Sequence, residues 1–166
     1  MLQCMSVITY YLQMLDPARL NGKPRPHEQF EVRECGIPQY AVNCFLYRYV
    51  GAAWQWTDRD EWSEDVWRGI IETDGLRTWI AYDHGTPAGY FELQKSPGDE
   101  VEILYFGLAE AFIGRSYGGY LLTRAIEEAW AWGAKRVWLH TCTLDHPSAL
   151  ANYQARGFEV YLKQDD

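Results

Sequence analysis

Apolar positions along this chain keep changing their period, and the changes divide it into alternating strands and helices. Ser6 to Met14 reads as a strand and Phe30 to Glu34 as a second, short one. Ile37 to Val50 takes helical spacing. So does Asp60 to Glu72, where the acidic residues Asp58, Asp60 and Glu61 suit a helix N-terminus. Thr78 to Leu93 is patterned as a hairpin turning at His84-Gly85. The run VEILYFGL at 101 to 108 is rich in β-branched and aromatic residues and too short for an ordinary helix, so it predicts a strand buried on most of its surface. Leu121, Leu122, Ala125, Ile126, Ala129 and Trp130 recur as one face of a helix. A further strand through His140 and Cys142, a short helix carrying Tyr153 and a strand from Phe158 to Leu162 complete the pattern.

This alternation predicts an α/β fold. At 166 residues the chain is long enough for one domain with a real core and too short for two of ordinary size, so 1–166 is read as a single domain. No linker, repeat or low-complexity tract interrupts it.

Two features of the pattern carry chemistry. Glu102 is the one charge inside the 101 to 108 run, and a carboxylate there is costly unless it is paired, solvated by a cleft or shifted in pKa. Burial would raise it toward the working range of a general base, whereas the strand's other face would leave it in solvent. Downstream, Gly114, Ser116, Gly118 and Gly119 stand directly ahead of the helical pattern. Unpaired N–H groups at a helix start, helped by the macrodipole, form an anion site to which Arg115 adds a positive charge. The same glycines also suit a plain turn.

Taken with HTCTLDHPSALANYQARGF at 140 to 158, these pieces resemble, in order and spacing, the GCN5-related N-acetyltransferase (GNAT) superfamily. Its acyl-CoA signature, Gln or Arg followed by x-x-Gly-x-Gly or Ala, falls on Ile113, Gly114, Arg115, Ser116, Tyr117 and Gly118, with Gly119 following. Ile113 stands where Gln or Arg is usual, and Ser116 where the first Gly is usual. In the C-terminal signature Ala149, Tyr153, Gly157 and Phe158 match in register, and His146 occupies the position of an Asn that contacts pantetheine. The resemblance implies a mixed, strongly twisted sheet with helices on both faces. It also implies acetyl-CoA as acyl donor and direct attack by a primary amine in a ternary complex. Glu102 aligns with the glutamate that acts as general base in the histone-acetylating branch. Tyr153 resembles the tyrosine that protonates the departing thiolate, which requires a phenol acidic enough to donate. A backbone N–H near Phe106, Gly107 and Leu108 is expected to hold the oxyanion, with a bulge at Gly107. Family members usually add a final hairpin that this chain lacks, so an exposed edge, covered by the N-terminal strand or by a partner subunit, makes a homodimer an expectation.

Composition narrows the partners. A net charge of −8 argues against a nonspecific nucleic-acid binder and favours a cationic acceptor. Tyr47, Tyr49, Trp54, Trp56, Trp62 and Trp67 crowd one region, either as packing or as an aromatic wall holding an ammonium beside Asp58 or Asp60. The N-terminus lacks a basic region and an unbroken apolar run, so neither signal peptide nor membrane span is expected and the protein is placed in the cytoplasm. Cys4, Cys35, Cys44 and Cys142 have no paired spacing and read as reduced. His140, Cys142, Asp145 and His146 fit no closed metal-site spacing, so no metal is assigned, and Pro147 suits the first turn of a helix capped by Asp145 or His146. The leading expectation is N-acetylation of a small amine, with a protein N-terminus or lysine second. A noncatalytic acyl-CoA-binding sensor or scaffold is the alternative.

Overall fold

The computed structural model describes residues 6–165. Its strands are β1 (Ile8–Met14), β2 (Phe30–Glu34), β3 (Leu76–Asp83), β4 (Thr86–Ser96), β5 (Glu100–Leu108), β6 (Arg136–Cys142) and β7 (Glu159–Asp165). Its helices are α1 (Tyr40–Gly51), α2 (Glu64–Ile71), α3 (Tyr117–Ala131) and α4 (Ala149–Arg156). One sheet holds all seven strands in the order β2-β3-β4-β5-β6-β1-β7, antiparallel throughout except for the β5–β6 pair. Helices cover both faces. Leu121, Leu122, Ala125 and Ile126 of α3 and Tyr153 of α4 share a core with Val101, Ile103, Val137 and Leu139. On the opposite face Leu46 and Val50 of α1 pack on Ile80 and Tyr90, and Trp67 and Ile71 of α2 on Leu76.

Several predicted boundaries move for local reasons. α1 begins at Tyr40 rather than Ile37, since Pro38 disfavours helical backbone at the residue before it. α2 begins at Glu64, where the Ser63 hydroxyl accepts from the Val66 N–H, so the acidic residues expected to open the helix at 60 lie in turns ahead of it. α4 begins at Ala149 after Ser148, later than a cap at Asp145 or His146 would give. Asp145 instead accepts from the Thr141 hydroxyl and the Cys142 N–H, which tightens the turn after β6. The hairpin turns at His84-Gly85, both at positive φ, as read from the sequence.

β1 is an interior strand. It lies between β6 and β7 and pairs antiparallel with both, Tyr11 opposing His140 on one side and Leu162 on the other. An N-terminal strand thus lies inside the sheet, and β7 beyond it forms the outer edge, exposed along its length. No helix among the described residues is long and apolar enough to cross a membrane. Cys35, Cys44 and Cys142 are free thiols, and Cys4 lies outside the described residues.

Candidate active site

The site is a fork in the sheet. β5 and β6 run parallel and stay paired only from Glu100–Arg136 through Glu102–Trp138. Beyond that point β5 continues with β4 as far as Leu108, while β6 continues with β1 as far as Cys142. A strand paired on one side leaves alternate N–H and C=O groups open on the other, so residues 103–108 present free backbone groups to the wedge.

Glu102 stands at the apex. Val101 and Ile103 point into the α3 core, so alternation sends Glu102 to the opposite face. It is 8% exposed, and burial pushes its carboxyl up to about 7. His140 of β6 faces it, with Nε2 3.7 Å from Glu102 Oε1.

The expected bulge lies elsewhere in the strand. Glu92 opposes Tyr105 and Leu93 opposes Ile103, so Leu104 is the extra residue, while Gly107 stays in register with Tyr90. One added residue reverses which face the following side chains take. Tyr105 therefore joins the α1 and α2 side, and Phe106 and Leu108 join the α3 core. Gly107 has a packing reason instead, because a Cβ there would come within 2.8 Å of Val50 Cγ1.

The loop from Ile113 to Gly119 feeds α3. Gly114 and Ser116 both take left-handed backbone, at φ 84° and 63°. The αL conformation at 116 explains why glycine suits that position, and serine adopts it at a cost. The Ser116 side chain makes no capping hydrogen bond to the first N–H groups of α3. Arg115 is 55% exposed, its guanidinium over the Phe112 ring and 3.7 Å from Asp83. The hydroxyl of Tyr117 donates to Asp83 Oδ2 at 2.7 Å, so Tyr117 anchors the loop to the β3 end. Asn152 of α4 donates to the Gly118 carbonyl. Gly119 lies beneath Arg156 and Lys23, and a Cβ would meet Arg156 Nη1 at 2.5 Å.

Tyr153 is buried on the other face of the sheet, its ring 6.0 Å from that of Phe106. Burial, with Asp145 adding to it, pushes its phenol well above the ordinary tyrosine range. The expected acidic phenol is therefore corrected to one that holds its proton. His146 accepts the Ser148 N–H on Nδ1, which places the proton of the neutral ring on Nε2. Its ring meets the edge of Trp54 at 4.9 Å, joining the loop after β6 to the loop after α1. A cavity of about 220 Å³ lies beside it, lined by Tyr10, Cys142, His146 and Leu150.

The aromatic wall is built, and its cation is the chain's own. Arg59 is 2% exposed and forms a bidentate pair with Glu92, at 2.7 and 2.9 Å, beneath Tyr105, Trp62, Trp67 and Tyr47. Burial opposes the Arg59 charge, and Glu92 beside it outweighs that cost. Asn43 donates to the same carboxylate and to Thr78 Oγ1. Trp56 packs on Tyr105, with Tyr47 and Tyr90 alongside, and Asp58 accepts the Tyr105 hydroxyl. Sequence reasoning missed this pair, although Glu92 sits in the apolar run AGYFEL and the argument applied to Glu102 reaches it equally.

The four residues weighed for zinc have other duties. His140 faces Glu102, His146 and Asp145 hold their turn, and burial raises the Cys142 thiol, against a nucleophilic role. Among the described residues a separate trio, His27, Asp83 and His84, brings its ligand atoms within 4.8 Å of one another. Hydrogen bonds account for it. His27 Nδ1 accepts the Gln29 N–H, so the proton of the neutral ring sits on Nε2, which lies 3.2 Å from the Tyr117 hydroxyl and 3.3 Å from Asp83 Oδ1. His84 Nδ1 lies 2.6 Å from the same oxygen.

Comparison with known proteins bears on the family and the fold. Residues 42–158 match the Acetyltransferase (GNAT) family. Mycothiol acetyltransferase of Corynebacterium efficiens is 35% identical over 89 residues, 54% of this chain and 29% of that protein. Among solved structures, the GCN5-related N-acetyltransferase of Sphaerobacter thermophilus superposes with a TM-score of 0.70 at 16% identity, over 96% of this chain and 50% of that one. A tandem GNAT protein from the clavulanic acid biosynthesis pathway gives 0.68 at 16% identity, over 97% and 52%. The chain thus spans about half the length of these structures, and the aligned stretch is under a third of the curated relative.

Proposed function

This chain belongs to the acetyltransferase (GNAT) family, and from that premise we propose that it transfers the acetyl group of acetyl-CoA to a primary amine of a small molecule. The observation that carries the reading is the fork itself, a sheet that unzips beside a desolvated carboxylate raised to about 7. In this reading the pantetheine arm enters the wedge and pairs with the open backbone of 103–108, and the pyrophosphate rests on the N–H groups at 114–118. Arg115 turns from Asp83 toward the phosphates.

An amine attacks a thioester only after losing its ammonium proton, and Glu102 takes that proton on the α1 and α2 side of the sheet. A backbone N–H of β5 holds the oxyanion of the tetrahedral adduct. When the adduct collapses, the carbon–sulfur bond breaks and the sulfur leaves as a thiolate. An alkyl thiol ordinarily titrates near 8.5, so the raised phenol of Tyr153 assists by donating a hydrogen bond to the sulfur, and solvent completes the protonation. Mycothiol, in the relative's name, is a small molecule, which favours that acceptor class over a protein.

The test follows thiol release from acetyl-CoA against a panel of small amines, with calorimetric titration of acetyl-CoA in parallel. Wild-type turnover, lost in Glu102→Gln while acetyl-CoA binding persists, is the expected result. Binding with no turnover for any amine would favour the sensor reading, and no binding would sink both.

A further inference from the structure

Glu102 is placed to receive a proton but not to release one. It is buried, its side chain 11% exposed, and it faces the imidazole of His140. His140 spans the gap to water, its side chain being 48% exposed while Nε2 faces Glu102 Oε1 at 3.7 Å. That separation is roughly 1 Å beyond a hydrogen bond, which a small rotation closes or one water spans.

The ring is also held in place. β1 sets Tyr11 directly opposite His140, and the two rings lie 5.7 Å apart, so β1 also supports this side chain. The titratable groups facing His140 among the described residues are Glu102 from β5 and Tyr11 from β1. Histidine is the side chain that takes up and gives back protons near neutral pH.

We propose that His140 is the proton exit of the acetyl-transfer site, carrying to solvent the proton that Glu102 removes from the acceptor ammonium. The inference rests on the transfer reading above. The ammonium N–H proton passes to the Glu102 carboxylate, and from that carboxylic acid to the Nε2 lone pair of His140. The resulting imidazolium loses one proton to water. The half-exposed ring then turns or exchanges tautomer through solvent before the next cycle, and both side chains return to their starting charge.

The experiment compares wild type, Glu102→Gln, His140→Ala and His140→Asn by thiol release across pH 6 to 9, with and without added imidazole. The expected result is a fall in kcat of about tenfold or more in both His140 variants, an unchanged KM for acetyl-CoA, and recovery of rate with imidazole. Folding is checked by thermal melting, and His140→Asn keeps a polar side chain at the position. Wild-type kcat and an unaltered pH profile in His140→Ala would overturn the inference alone. So would a loss in both variants that imidazole fails to restore. Absence of turnover by the wild type removes the transfer reading and this inference together.

Discussion

At the scale of single residues, function and stability pull against each other at Glu102. Burial lifts its carboxyl from an ordinary 4.5 to about 7, which makes the ionised form less welcome in the folded state than in the unfolded chain. The sign follows directly. Stability is lost as pH rises from about 4.5 to about 7, and the deficit persists above that. Glu102→Gln is therefore expected to be more stable than wild type at pH 8, by up to about 3 kcal/mol, with no such gain at pH 4. Paired thermal melts at the two pH values measure this, and a variant less stable at both would refute it. Over the same range thiol release by the wild type should climb through pH 7 as Glu102 ionises.

Arg59 and Glu92 invite the opposite experiment. Arg59→Met leaves a fully buried carboxylate without its partner, and such losses cost about 3–5 kcal/mol. Adding Glu92→Leu removes the stranded charge, so the double variant should recover most of the loss in urea unfolding. Additive losses would mean that the pair contributes through packing alone.

At the scale of elements, β1 ties β7 to the rest of the sheet. Leu12 is fully buried, and hydrogen bonds run from β1 to β6 on one side and β7 on the other. Leu12→Ala is expected to cost about 2–5 kcal/mol. In hydrogen exchange the amides of β1 should be as protected as those of β6, although they stand close to the N-terminus. Fast exchange throughout β1 would show that the sheet holds together without it. Element existence was largely legible from residue pattern, because periods of 2 and 3.6 are local properties of the chain. Boundaries were less so. The Ser63 cap shifted α2, and Asp58, Asp60 and Glu61 fell in the turns ahead of it.

At the scale of the molecule, the proposed function makes acetyl-CoA a structural partner as well as a reactant. A ligand that fills the wedge bridges β5 and β6 where they no longer pair, so acetyl-CoA should raise the unfolding free energy by about 2.7 kcal/mol at a hundredfold excess over its Kd. Denaturation with and without acetyl-CoA reads this out. Arg115→Ala should reduce the gain at a fixed concentration, since with a net charge of −8 the anionic cofactor depends on local positive groups. An equal shift in wild type and Arg115→Ala would remove Arg115 from the binding loop.

What the sequence determined alone is what neighbours along the chain decide. The alternation of strands and helices, the His84-Gly85 turn, the loop before α3 and the anomaly of a charge at 102 all follow from spacing, propensity and the cost of burying a carboxylate. The tertiary structure decided what depends on residues far apart in the chain. It put the bulge at Leu104, because registry belongs to a pair of strands and not to one. It gave the aromatic wall to Arg59 and brought His140 to Glu102, because a side chain's partner is fixed only when separate elements meet. It sent β1 into the gap between β6 and β7, because unpaired strand edges are satisfied by whichever segment reaches them, and nothing local in the sequence states which segment that is.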